Sequence, residues 1–152
     1  MKIAIACDHA AYRFKLEIEE YLREKGLEFV DFGTDSEARS DYPIYAMRAC
    51  KAVVNGECDR GLLFCGSGVG MSLVANKMRK IRAVVCSEPY SAVLSRHHNN
   101  TNVLCLGARV VGIELAKMII DLWLPAEYLG GRYQTRMDMI TELEETHRGV
   151  AP

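Results

Sequence analysis

Short apolar runs alternate with longer amphipathic stretches along this chain of 152 residues. "KIAIAC" (2–7), "EFVDFG" (28–33), "GLLFC" (61–65), "RAVVCS" (82–87) and "VLCLGA" (103–108) have the length and β-branched content of strands. The second is the least apolar of the five and suits a sheet edge. Between them, periodic apolar positions predict helices over roughly 12–25, 43–55, 69–78, 88–97 and 112–123, with a last one near 132–147. Strand–helix alternation of this kind implies right-handed crossovers and a parallel sheet covered on both faces. The expectation is a single α/β domain over residues 1–152, in three layers. The longest irregular stretch, "GTDSEARSDYP" (33–43), is polar and turn-rich, a candidate lid.

That architecture says where to look for chemistry. In open α/β sheets the ligand crevice lies beyond the carboxyl ends of the strands. Reactive side chains follow four of the five runs, in "CDH" (7–9), "CGSGVG" (65–70), "SEPY" (87–90) and "GAR" (107–109). The glycine loop opens a helix, so its amides should form a nest for a phosphate, carboxylate or oxyanion. It matches no nucleotide motif: Met71 stands where G-x-G-x-x-G needs its third glycine, and the Gly-Lys-Ser/Thr of a P-loop is absent. Ser67 also fails the nucleophile elbow, being flanked by Cys65 and Val69 at its two-residue offsets.

Cys65 ends a strand at the mouth of this nest, where a helix N-terminus favours thiolate. A buried, inert cysteine is the ordinary alternative, and position alone does not decide between them. Arg132 and Arg136 lie one turn apart at the start of the last helix, where neither the dipole nor their mutual repulsion favours them. A forked grip on a phosphate explains them better than a solvated surface does. Arg109 and His9 are placed to complete it. "SRHHNN" (95–100) ends a helix, a setting that favours an imidazolium. The tyrosine of "DYP" (41–43) either starts a helix or offers a hydroxyl to a sugar.

The totals exclude several classes. A formal net charge of −1 gives no basic excess for nucleic acid. No run approaches a membrane span, and the first residues do not form a signal peptide. Six cysteines without a C-x-x-C pair suit neither a disulfide framework nor a zinc site. A site drawn from Cys7, His9, Cys65 and Cys86 would lack ligand spacing. The cytoplasm is the expected compartment.

Taken together, "CDHA", "DYP", "CGSGVG", "ANK", "SRHHNN", "GARVVG" and "GGRYQTR", in this order from end to end, resemble the ribose-5-phosphate isomerase B family, which includes allose- and galactose-6-phosphate isomerases. The resemblance implies an aldose–ketose isomerase that uses no metal or other cofactor. It implies a five-stranded parallel sheet in the order 2-1-3-5-4 and a homodimer or dimer of dimers with shared active sites. By the same resemblance Cys65 is the general base between C1 and C2 of the sugar. The amides of Gly66, Ser67, Gly68, Val69 and Gly70 are the anion hole, with Ser67 where many members carry threonine. His98 opens the sugar ring with help from Asp8 and Asn99. His9, Arg109, Arg132 and Arg136 hold the phosphate, and Tyr42 lines the sugar pocket. One branch of the family places a glutamate where this chain has Met71, so Cys65 is the base on offer here. His97 varies among relatives and carries no role. The rival readings are a six-carbon sugar phosphate isomerase, a nonenzymatic phosphosugar-binding module and a flavodoxin-like flavin carrier.

Overall fold

Side chains on the central strands alternate between two separate cores, and that alternation fixes the layers. The computed structural model describes residues 1–146. Strands β1 (Lys2–Cys7), β2 (Glu28–Asp31), β3 (Arg60–Cys65), β4 (Ala83–Val85) and β5 (Val103–Gly107) form one parallel sheet, ordered β2-β1-β3-β5-β4. Helices α1 (Tyr12–Glu24), α2 (Tyr42–Val54), α3 (Val69–Ala75), α4 (Pro89–Asn99) and α5 (Ile113–Trp123) connect them, and α6 (Arg132–Thr146) follows. Ile3, Ile5, Leu62, Phe64, Leu104 and Leu106 point to one face, under Phe14 and Ile18 of α1, Ala92 of α4 and Trp123 of α5. Ala4, Ala6, Leu63, Cys65 and Cys105 point to the other, under Ala46, Ala49 and Cys50 of α2 and Met71 of α3. Small residues on this second face let α2 and α3 lie close against the sheet, bringing the glycine loop and the start of α2 together.

The expected strands and their order are present, and β2 is an edge as its polarity suggested. β4, the other edge, has only three residues because its ends are taken elsewhere. The Arg82 amide donates to Asn102 Oδ1, and the chain leaves the sheet after Cys86 N–H reaches Cys105 O at 3.3 Å. α3 stops at Ala75 rather than 78, where the Asn76 side chain exchanges two hydrogen bonds with the backbone of Ala83. The last helix reaches Thr146; the expected end at 147 lies outside the described residues.

The 33–43 segment is tied down at three points. Arg13 grips Glu37 with two hydrogen bonds, at 2.7 and 2.9 Å. Lys15, 1% exposed, pairs with Asp31 and donates to Thr34 O at 2.8 Å. Ser40 exchanges two bonds with His9. This is a fixed wall of the site rather than a free lid.

Candidate active site

A cleft of about 540 Å³ opens at the carboxyl ends of β1, β3 and β5. Asp8, His9, Tyr42, Cys65, Gly66, Ser67, Gly70 and Arg109 line it, so eight of the expected site residues meet in one place. Each arrives there for a local reason. Asp8 caps the single 3-10 turn His9–Ala11, accepting from Ala10 N–H at 3.0 Å. His9 is oriented by Ser40: its Nδ1 accepts the Ser40 amide at 3.2 Å, while its own amide donates to Ser40 Oγ at 3.2 Å. With Nδ1 occupied as an acceptor, the neutral ring presents Nε2–H as its donor. Tyr42 opens α2, and its ring packs on Gly70, where an added Cβ would lie only 3.0 Å from ring carbon.

The glycine loop is built by close backbone approach. Gly68 has φ +80°, and a Cβ there would meet Leu106 and Gly107 backbone at 3.1 and 3.2 Å. Gly107 is tighter still, since a Cβ would fall 2.6 Å from the Ser67 carbonyl carbon. The Gly68 N–H donates to Cys65 Sγ at 3.2 Å, and the Val69 N–H to Ser67 Oγ at 3.3 Å. The amides of Gly66, Ser67 and Gly70 have no acceptor among the described residues. Of the five amides of 66–70, those of Gly68 and Val69 are therefore engaged inside the loop. The Arg109 side chain runs along Gly66, and its guanidinium has no carboxylate partner among the described residues.

The cysteines separate by environment. Burial pushes Cys7 and Cys50 up to about 12 and Cys86 to about 11, raises Cys58, and raises the fully enclosed Cys105 well above the usual thiol range. Cys65 differs in lining the cleft and in accepting the Gly68 N–H on its sulfur. Among the described residues no group of three or more His, Cys, Asp or Glu side chains is arranged to hold a metal ion, so Cys7, His9, Cys65 and Cys86 do not assemble into one.

The remaining expected residues lie elsewhere. α4 starts beyond the carboxyl end of β4 and runs back along the sheet, so His98 and Asn99 in its last turn sit near the amino ends of the strands. Either β3 or α4 spans roughly 15 Å, which separates this group from Cys65. His98 stacks on Tyr133, with ring centroids 4.2 Å apart and planes 13° from parallel. Arg132 donates to Tyr133 Oη at 2.9 Å, and the Arg132 and Arg136 guanidinium carbons lie 5.0 and 6.0 Å from the same ring. Asn99 is exposed and faces a separate, mostly apolar groove of about 660 Å³ beneath α6, beside Met137, Ile140 and Leu143. One chain thus holds the expected residues as two separate groups.

Sequence reasoning missed Ser40, Gly107 and Tyr133. Ser40 carried no signal in a polar loop. Gly107 and Tyr133 stood inside quoted motifs, where the charged neighbours drew the attention.

The model of the Ribose/Galactose Isomerase family matches residues 3–140. Ribose-5-phosphate isomerase B of Escherichia coli (strain K12) is 58% identical over 144 residues, covering 95% of this chain and 97% of that one. D-erythrulose-4-phosphate isomerase of Pectobacterium atrosepticum is 43% identical over 151 residues, with 97% and 99% covered. The solved ribose-5-phosphate isomerase B of Clostridium thermocellum superposes with a TM-score of 0.95 at 48% identity, over 97% of this chain and 99% of its own. The fold, the cleft and these likenesses agree: the chain belongs to the Ribose/Galactose Isomerase family.

Proposed function

We propose that this aldose–ketose isomerase interconverts ribose 5-phosphate and ribulose 5-phosphate through an enediolate, with Cys65 as the base. The observation that carries the reading is the cleft in which the Cys65 sulfur lies beside three unpartnered amides. In the open-chain aldose, the Cys65 thiolate takes the C2 proton and the carbonyl oxygen at C1 becomes the enediolate oxygen. Amides of Gly66, Ser67 and Gly70 stabilise that charge as it develops. A proton passes from the C2 hydroxyl to the C1 oxygen, and the Cys65 thiol returns its proton to C1, leaving the ketone at C2. His9 Nε2–H and Arg109 hold the phosphate, and the Tyr42 hydroxyl faces the sugar.

Ring opening and the rest of the phosphate grip come from His98, Arg132 and Arg136 of a second copy. The separation of the half-sites within one chain supports this, as does the apolar surface around the cleft: Val69 is 50%, Leu73 58% and Val110 62% exposed. A homodimer placing one half-site over the other completes two shared sites. Catalysis is assigned to proton transfer by these side chains, with no cofactor, no nucleic acid and no membrane among the partners. No described helix is long and apolar enough to cross a membrane. Six unpaired cysteines support a cytoplasmic setting.

The test is kcat/KM across ribose 5-phosphate, ribulose 5-phosphate, erythrulose 4-phosphate, allose 6-phosphate and galactose 6-phosphate, with and without exhaustive chelation. Ribose and ribulose phosphates are expected to lead, with chelation having no effect. A preference for another sugar phosphate would move the substrate assignment. Binding without turnover would favour the phosphosugar-binding module instead.

A further inference from the structure

We propose that Tyr133 is a positioning residue: its ring fixes the plane of the His98 imidazole and its spacing from the Arg132–Arg136 pair. This rests on the reading of His98 as the ring-opening group and of the arginines as the phosphate grip, and adds the part that joins them. His98 belongs to α4 and the arginines to α6, so nothing in either helix alone sets their separation. Tyr133 does so with one side chain. Its face lies parallel to the imidazole at 4.2 Å, its hydroxyl accepts from Arg132 at 2.9 Å, and both guanidinium groups lie within 6.0 Å of the ring. Stacking covers a face of the imidazole rather than its ring nitrogens, and restricts rotation about the side chain.

The backbone delivers Tyr133 to this place by a dedicated connection. Leu129 N–H donates to His97 O at 3.1 Å, pinning the incoming chain to the last turn of α4. Gly130 and Gly131 follow with φ of +62° and +56°, and nothing lies within 4 Å of where their Cβ atoms would be. They are glycines for their left-handed backbone rather than for space. Two such residues in succession turn the chain so that α6 starts with Arg132 and Tyr133 against α4. In a sugar phosphate the ring-opening atoms and the phosphate are joined by a fixed number of carbons. A residue that sets the distance between acid and phosphate grip therefore also sets which chain length fits.

Tyr133→Phe keeps the ring and removes the hydroxyl; Tyr133→Leu removes the stack. In Tyr133→Phe the KM for ribose 5-phosphate should rise about three- to ten-fold with kcat little changed, because Arg132 loses one partner. In Tyr133→Leu the kcat on ribose 5-phosphate should fall about ten- to a hundred-fold, because the imidazole is no longer aimed. Solvent deuterium exchange into bound ribulose 5-phosphate, which begins from an open chain, should be retained in both. Independently of any reaction, the His98 Hε1 and Hδ2 resonances should carry a ring-current shift in wild type and Tyr133→Phe and lose it in Tyr133→Leu. Unmoved His98 resonances in Tyr133→Leu, or equal losses of aldose turnover and exchange, would overturn the proposal. His98→Ala, assayed in parallel, separates the two readings. If His98→Ala opens the ring normally while Tyr133→Leu still shifts the His98 resonances, the ring-opening role fails and the stacking role stands.

Discussion

At the scale of single residues the decisive contrast is among six cysteines. Burial disfavours thiolate at five of them and pushes Cys7 and Cys50 up to about 12. Cys65 has a backbone N–H on its sulfur and a cleft in front of it. Limited alkylation of the folded enzyme at mildly alkaline pH should therefore attach one group, at Cys65, abolish turnover, and be slowed by saturating ribose 5-phosphate. Peptide mass mapping checks the site; modification spread over several cysteines would remove the distinction drawn here. Cys65→Ser keeps the volume but raises the side-chain pKa by several units, so C2 proton exchange should drop by orders of magnitude. Substrate affinity should change little, because the proposed phosphate grip is made of other residues. Near-normal exchange in this variant would leave the base unidentified. Position alone could not decide the role of Cys65, because a strand-end cysteine reads the same whether its sulfur faces a nest or a core.

At the scale of elements, what positions the chemistry is mostly backbone. The end of β5 crosses the glycine loop so closely that Gly107→Ala would press a methyl into the Ser67 carbonyl at 2.6 Å. Backbone cannot yield there as a side chain would, so the loop must shift. The expected result is a loss of about 2 kcal/mol or more in stability together with a fall in kcat, measured by urea unfolding and steady-state kinetics. Gly131→Ala acts at the other half-site. It strains a left-handed position by about 1–2 kcal/mol and displaces the start of α6, so KM for the sugar phosphate should rise while alkylation of Cys65 proceeds at the wild-type rate. Equal rises in alkylation and KM would show that the two half-sites are not independent. Lys15 is a third case. Lys15→Ala removes the buried cation shared by Asp31 and Glu19, leaving Glu19 with Arg23 and Asp31 with the Gly33 amide, at a cost of about 1.5–3 kcal/mol. It should also loosen the segment that carries Ser40, and so weaken phosphate binding through His9.

These elements also mark how far sequence reading reached. The apolar runs of β1, β3 and β5 are unambiguous because these central strands are buried on both faces, as in "LLF" of β3 and "VLCL" of β5. The glycine loop stood out because three glycines in five positions exceed what a turn needs. Helix and strand ends were less legible, since they depend on side chains far away in sequence, such as Asn76 on Ala83 or Asn102 on Arg82. The tie between Ser40 and His9 spans 31 residues and leaves no local pattern.

At the scale of the whole molecule, topology decides what one chain can do alone. A helix that returns antiparallel to the strands must end at the opposite side of the sheet, so a residue in the last turn of α4 cannot meet a residue at the end of β3 within the same subunit. Motif spacing does not encode this, because "CGSGVG" and "SRHHNN" are only some 30 residues apart along the chain. In the proposed homodimer, a second copy related by a two-fold axis brings each half-site to the other. This has a consequence that side-chain substitutions alone do not test. Cys65→Ser homodimers lack the base in both sites, and His98→Ala homodimers lack ring opening in both. When the two proteins are mixed and allowed to exchange subunits, a mixed dimer has one site with both defects and one with neither. Random exchange should therefore restore about a quarter of the wild-type rate on ribose 5-phosphate, rising with time after mixing at the rate of subunit exchange. Crosslinking the homodimers before mixing should prevent the gain. If each subunit carried a complete site, no mixing of these two variants would recover activity, and the half-sites would have to meet by a rearrangement within one chain.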